Sequence, residues 1–234
     1  MKLLWQQIAS TTITEILCNS KLDGVVLDLE HGCFSNTDIY QSIQIATLMK
    51  KKVFVRLTCV DENLIRMTLD AGVDGIIMST VESETELVRL QNLCCYKNKN
   101  NLFTQNGQRG RGLVRENMWG KKPFKFRVPM IIPQIETVKG VERIEQIKEV
   151  CLGPVLVGPY DLSASCGDVG NFESPSFKKS MSKLKEVMGS DLGYHIVKDA
   201  DKQIEGLKGS KFLAFGLDTL FLLDGISSIE GILK

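Results

Sequence analysis

Eight short apolar runs, each followed by an amphipathic stretch, constrain the fold of this 234-residue chain more than any other feature. The runs are Leu3–Ile8, Gly24–Leu29, Val53–Leu57, Gly75–Ser79, Val128–Ile135, Pro154–Val157, Gly193–Val197 and Phe212–Phe215. They are rich in Val, Ile, Leu and Phe and mostly lack polar alternation, as parallel strands covered on both faces do. Helical periodicity fills the intervals 11–19, 36–50, 61–70, 82–95, 137–149, 175–189, 199–207 and 218–233. Strand and helix alternating eight times predict an α/β chain folded as one (β/α)8 TIM barrel over residues 1–234. An open doubly wound sheet is the competing architecture, but no G-x-G-x-x-G follows a strand.

Local signals agree with these intervals. Ser35 or Asn36, ahead of Asp38, starts a helix, and Asp61 caps the run that follows it. Gly72, Gly153 and Gly209 fall where helices should end. The long segment 96–127 breaks the rhythm, with nine basic residues against one acid, Glu116. It reads either as a solvated loop or as a cover that brings Arg109, Arg111 or Arg115 over an anionic substrate.

Composition excludes several classes of function. A formal net charge of +1 gives no global attraction to nucleic acid or membrane. Seven cysteines without a C-x-x-C pair suit neither a disulfide framework nor a zinc knuckle. The opening MKLLWQQIASTT lacks the pattern of a secretory signal, and no stretch is long enough to span a bilayer, so a reducing cytoplasm is expected.

In a barrel, chemistry sits where strands end. Strand 2 ends in Asp28-Leu29-Glu30-His31-Gly32, three titratable groups that must meet water, metal or one another. His31 is the leading general base, with Asp28 placed to orient its imidazole; a histidine hydrogen-bonded at the rim is the plainer reading. Strand 3 carries Arg56, which needs an anion or carbonyl oxygen: a developing enolate, or an ion pair with Asp28 or Glu30. Strands 5 and 6 end in Gln134-Ile135-Glu136-Thr137 and Gly158-Pro159-Tyr160-Asp161. Glu136 and Asp161 on neighbouring strands suit a hard divalent cation, Mg²⁺ or Mn²⁺ with Co²⁺ as a third option, although each carboxylate could instead cap a helix or turn. No strand from 2 to 6 ends in lysine, and Lys198 reads as a helix start, which argues against Schiff-base chemistry. His195, within strand 7, reads as core packing.

Together these residues resemble the HpcH/HpaI aldolase family, the metal-dependent class II pyruvate aldolases. The matching pieces are Asp28-Leu29-Glu30-His31-Gly32, Val55-Arg56, Leu69-Asp70-Ala71-Gly72, Gln108-Arg109-Gly110, Gln134-Ile135-Glu136-Thr137, Gly158-Pro159-Tyr160-Asp161-Leu162-Ser163 and Gly216-Leu217-Asp218-Thr219, in family order. The resemblance implies a pyruvate-binding barrel, assembled as a hexamer with swapped C-terminal helices. It implies Glu136 and Asp161 as metal ligands, Gln134 beside them, and His31 with Asp28 as the acid/base pair. Arg56 would stabilise the enolate, and amides around Tyr160 and Asp161 would hold the carboxylate. Asp70 would act near a neighbouring subunit's site, and Arg109 near the substrate. The substrates implied are a 2-oxo acid, pyruvate or oxaloacetate, and an aldehyde. A citrate-synthase-like condensation on the same scaffold and a barrel that binds ligand without turnover are the alternatives.

Overall fold

Each of the eight apolar runs forms a strand in the computed structural model, which describes residues 1–97, 106–109, 121–122, 128–197, 207 and 209–232. The strands are β1 (Lys2–Gln6), β2 (Gly24–Asp28), β3 (Lys52–Leu57), β4 (Gly75–Met78), β5 (Met130–Ile135), β6 (Val155–Val157), β7 (Leu192–Ile196) and β8 (Leu213–Phe215). All pair in parallel and in sequence order, and β1 closes on β8. Around them lie α1 (Thr11–Cys18), α2 (Asn36–Leu48), α3 (Glu62–Ala71), α4 (Glu84–Cys94), α5 (Val138–Glu142), α6 (Ile144–Val150), α7 (Pro159–Ser165), α8 (Pro175–Met188) and α9 (Asp218–Ile232). The chain is a (β/α)8 barrel. No helix among the described residues is long and apolar enough to cross a membrane.

The expected helix starts have visible causes. Ser35 and Asp38 form a reciprocal capping box, and Asp61 accepts from the amides of Asn63 and Leu64. Gly72 ends α3 at φ +101°, a left-handed conformation open to glycine without strain. Two helices differ from expectation. The interval 137–149 is broken at Arg143, whose ψ of 8° leaves the helical range, so α5 and α6 are separate pieces. The short α7 was hidden in a strand-end motif; Pro159 at its first position favours it, since proline's fixed φ suits a helix start. The interval 199–207 lies, except for Leu207, outside the described residues, as do Lys198, Arg111 and Arg115.

Strand periodicity divides the core in two. Outward residues such as Val25, Leu27, Val53, Val55, Ile76, Val155 and Val157 pack under the helices. Inward residues Leu3, Trp5, Val26, Phe54, Ile77, Ile132, Leu156 and Phe212 plug the lumen, with Phe54 edge-on to Phe212 at 5.7 Å. Truncating an aromatic of such a plug to alanine costs about 3–5 kcal/mol. Two residues further along the strands, the inward positions change character. They become Gln7, Asp28, Arg56, Ser79 and Gln134, with Gly158 just past β6. The apolar plug is therefore the floor of a polar mouth.

Candidate active site

The β2–β3 register makes Asp28 and Arg56 partners. Arg56 Nε donates to Asp28 Oδ1 at 2.8 Å and Nη2 donates to Oδ2 at 2.6 Å, both side chains being buried. Trp5 Nε1 and Gln7 Nε2 donate to Oδ2 at 3.0 and 3.1 Å, and the amides of Glu30 and His31 donate to Oδ1. Burial alone would raise the Asp28 pKa, but the bonds and charge of Arg56, joined by Trp5 and Gln7, bring it down to about 2. The guanidinium also lies 5.0 Å over the Trp5 ring. Its Nη1 is 2.7 Å from Glu30 Oε2, a charge contact without hydrogen-bond alignment.

The opposite wall is acidic and less satisfied. Glu136 Oε1 accepts from the Thr80 amide at 2.8 Å and the Thr80 hydroxyl at 2.6 Å, and Oε2 accepts from Gln134 Nε2 at 2.8 Å. Thr80 holds φ at +51°, a strained backbone for a β-branched residue and one that aims both donors at a single oxygen. Gly158 makes the Glu136 position possible: a Cβ there would lie 2.7 Å from Glu136 Oε2 and 2.8 Å from Gln134 Nε2. Burial raises the Glu136 pKa, the Thr80 bond opposes the rise, and the charges of Asp161 and Glu30 add to it. Asp161 stands in the first turn of α7. Glu30, His31, Thr80, Glu136, Thr137, Asp161 and Ser165 line one cavity of about 220 Å³.

The structure thus brings His31, Glu136 and Asp161 together, with Arg56 behind Glu30. It joins Asp28 to Arg56 and to the backbone of His31 rather than to the imidazole. The guanidinium fork occupies both carboxylate oxygens, and the exposed His31 ring forms no hydrogen bond to a described residue. Asp70 and Arg109 do not line the cavity. They approach each other at 3.5 Å, with the Arg109 guanidinium 4.6 Å over Tyr96. Tyr160 is exposed, outside the cavity lining. Glu30, Thr80, Trp5 and His195 were not singled out as site residues from the sequence. Glu30 stood in a noted motif; Thr80 gave no signal, since a positive φ cannot be read from a Ser-Thr dipeptide.

The sequence pattern of the HpcH/HpaI aldolase/citrate lyase family matches residues 2–221. The chain belongs to that family. A hydroxypyruvate/pyruvate aldolase of Paraburkholderia phytofirmans is 25% identical over 94% of this chain and 88% of its own. A 2-keto-3-deoxy-L-rhamnonate aldolase of Salmonella gallinarum is 25% identical over 96% and 85%. An HpcH/HpaI aldolase/citrate lyase family protein from Burkholderia cenocepacia superposes with a TM-score of 0.89 at 20% identity, covering 100% of this chain and 95% of that one.

Within this HpcH/HpaI barrel, the donor chemistry fits a hard divalent cation. Glu136 and Asp161 supply carboxylate oxygens, and Gln134 Oε1 is buried without a hydrogen-bond partner beside them. Among the described residues no three His, Cys, Asp or Glu side chains form a ready-made ligand cage. Two carboxylates leaving positions for water and substrate suit magnesium or manganese better than closed tetrahedral zinc.

Proposed function

We propose that this chain is a divalent-metal-dependent aldolase that forms or cleaves a 4-hydroxy-2-oxo acid, using pyruvate or oxaloacetate and an aldehyde. The observation that carries this reading is one 220 Å³ cavity lined by His31, Glu136 and Asp161. The names of relatives such as the hydroxypyruvate/pyruvate, 2-keto-3-deoxy-L-rhamnonate and 5-keto-4-deoxy-D-glucarate aldolases support it.

Glu136 and Asp161 would hold the cation, Mg²⁺ or Mn²⁺ with Co²⁺ as an alternative, and Gln134 would shape the site beside it. When bound, the cation supplies Lewis acidity at the 2-oxo oxygen. Arg56, with Nη1 beside Glu30 Oε2 and N–H groups beyond those given to Asp28, would stabilise the charge that develops on the enolate oxygen. The Asp28 clamp fixes that guanidinium in advance, so little reorganisation is needed during reaction. His31, directly or through a water, takes the proton of the 4-hydroxyl as the carbon–carbon bond breaks. Asp28 positions it by holding its backbone amide. Amides of Tyr160 and Asp161, in the first turn of α7, lack helical partners and would bind the carboxylate. Arg109 and Asp70 act from outside this cavity, at the aldehyde end or toward a neighbouring subunit. The enzyme works in the cytoplasm as a homo-oligomer; the exposed apolar residues of α9, among them Leu222, Leu223, Ile226 and Ile229, give a second copy a surface to cover.

The test is a panel of aldehydes with pyruvate, supplemented in turn with Mg²⁺, Mn²⁺ and Co²⁺. Aldol product is expected with at least one pair, and Glu136→Ala and His31→Ala should abolish it. Full retro-aldol activity in His31→Ala would put the base elsewhere.

A further inference from the structure

One half-buried titratable group takes no part in the chemistry above. His195 sits on β7 with Tyr194 and Ile196 turned outward into the apolar packing, so its ring points into the lumen. It stacks on the Trp5 indole at 4.1 Å and 18°, and Trp5 in turn donates to Asp28 and carries the Arg56 guanidinium. His195 Nε2 lies 3.0 Å from the Gly216 carbonyl oxygen. A carbonyl only accepts, so Nε2 carries the proton and Nδ1 of the neutral ring is a bare lone pair. Burial, with the charge of Arg56 helping, pushes the His195 pKa down to about 4, so the neutral form holds at neutral pH.

Nδ1 forms no hydrogen bond to a described residue, and the His195 side chain is only half-buried. Beneath it the lumen is filled by Trp5, Phe212, Ala214 and Leu156. Its open side is therefore the mouth, on the Trp5 wall beside the Asp28–Arg56 pair. A fixed acceptor beside the Trp5 indole selects for a donor, because a ligand without one would leave the lone pair unpaired.

We propose that His195 Nδ1 accepts a hydrogen bond from a substrate hydroxyl, so that this mouth prefers hydroxylated substrates to their deoxy counterparts. The hydroxyl comes either from C3 of the 2-oxo acid or from the carbon next to the aldehyde. This inference rests on the aldolase reading for its kinetic arm only.

Two measurements test it. The first compares kcat/KM for hydroxypyruvate against pyruvate, and for glycolaldehyde against acetaldehyde, in wild type, His195→Leu, His195→Asn and His195→Gln. The leucine variant should lose about five- to tenfold of the preference in one arm, which identifies the source of the hydroxyl. Asparagine keeps an acceptor near the Nδ1 position and should restore it, whereas glutamine, which keeps only a donor toward Gly216, should not. Equal preference in all four proteins overturns the proposal, as does rescue by glutamine alone. The second is ¹⁵N NMR of the two histidines during titration with hydroxypyruvate and with pyruvate, which needs no turnover. The His195 Nδ1 signal should start as an unprotonated imine nitrogen and move toward the hydrogen-bonded range with hydroxypyruvate only. An Nδ1 signal that is protonated from the start, or that ignores hydroxypyruvate, overturns the proposal even if no aldol activity is found.

Discussion

The two walls of the mouth handle buried charge in opposite ways. On the β2–β3 side, Asp28 meets a two-pronged guanidinium, an indole, an amide side chain and two backbone amides. On the β5–β6 side, Glu136 has only neutral donors, stands near two further carboxylates, and neighbours an orphaned amide oxygen. The first wall pairs Asp28 internally and so fixes Arg56 in place. The second is left short of positive charge, which suits the cation proposed for it.

The sharpest way to break this contrast is a pair of matched isosteric changes. Asp28→Asn should destabilise the protein by about 3 kcal/mol, because it leaves the buried Arg56 charge with only the unaligned Glu30 contact. Urea unfolding reads the loss. Glu136→Gln removes a carboxylate whose pKa burial has raised, a group that disfavours folding at neutral pH while ionised. Its unfolding midpoint should therefore hold or rise in metal-free buffer, while activity falls by about a hundredfold or more. Equal destabilisation by both changes would erase the difference between the walls.

The pH dependence of stability sharpens the same contrast. His195 has a folded pKa near 4 against an ordinary 6.5, so the unfolded chain holds more protons between those values. Its contribution is fully present above about pH 6.5 and is lost as pH falls toward 4, by up to about 3 kcal/mol. His195→Leu should flatten that slope. Asp28 acts lower: its contribution is present above pH 3.8 and disappears as pH falls through about 2. Gly158→Ala should have the smallest effect, about 1–3 kcal/mol, since its methyl must push Glu136 or Gln134 aside. Weakened cation affinity, measured by calorimetry, should accompany it.

How legible all this was in sequence depends on the kind of constraint. The barrel followed from the apolar runs because burial on both strand faces leaves a continuous signature, and every run became a strand. Asp28, His31, Arg56, Glu136 and Asp161 could be placed at strand ends because titratable groups directly after apolar strands are costly without partners. Their pairing was less legible. Arg56 was open to Asp28, Glu30 or an enolate, and only the β2–β3 register, which sets Arg56 opposite Asp28, decided between them. Asp28 then had no free oxygen for the imidazole. His195 read as packing because Gly-Tyr-His-Ile-Val is dominated by large side chains; its inward aim depends on which strand face meets the lumen. Thr80 and Gly158 act through backbone conformation and missing volume, which leave no pattern of residue types.

The central claim is that the acidic wall holds a cation which, with the clamped Arg56, stabilises a pyruvate enolate. Exchange of the pyruvate methyl protons in deuterated water, followed by proton NMR, tests it without an aldehyde. Exchange is expected with Mg²⁺ or Mn²⁺, should stop on chelation, and should be absent in Glu136→Gln. Exchange that persists after chelation, or that Glu136→Gln retains at the wild-type rate, would contradict it.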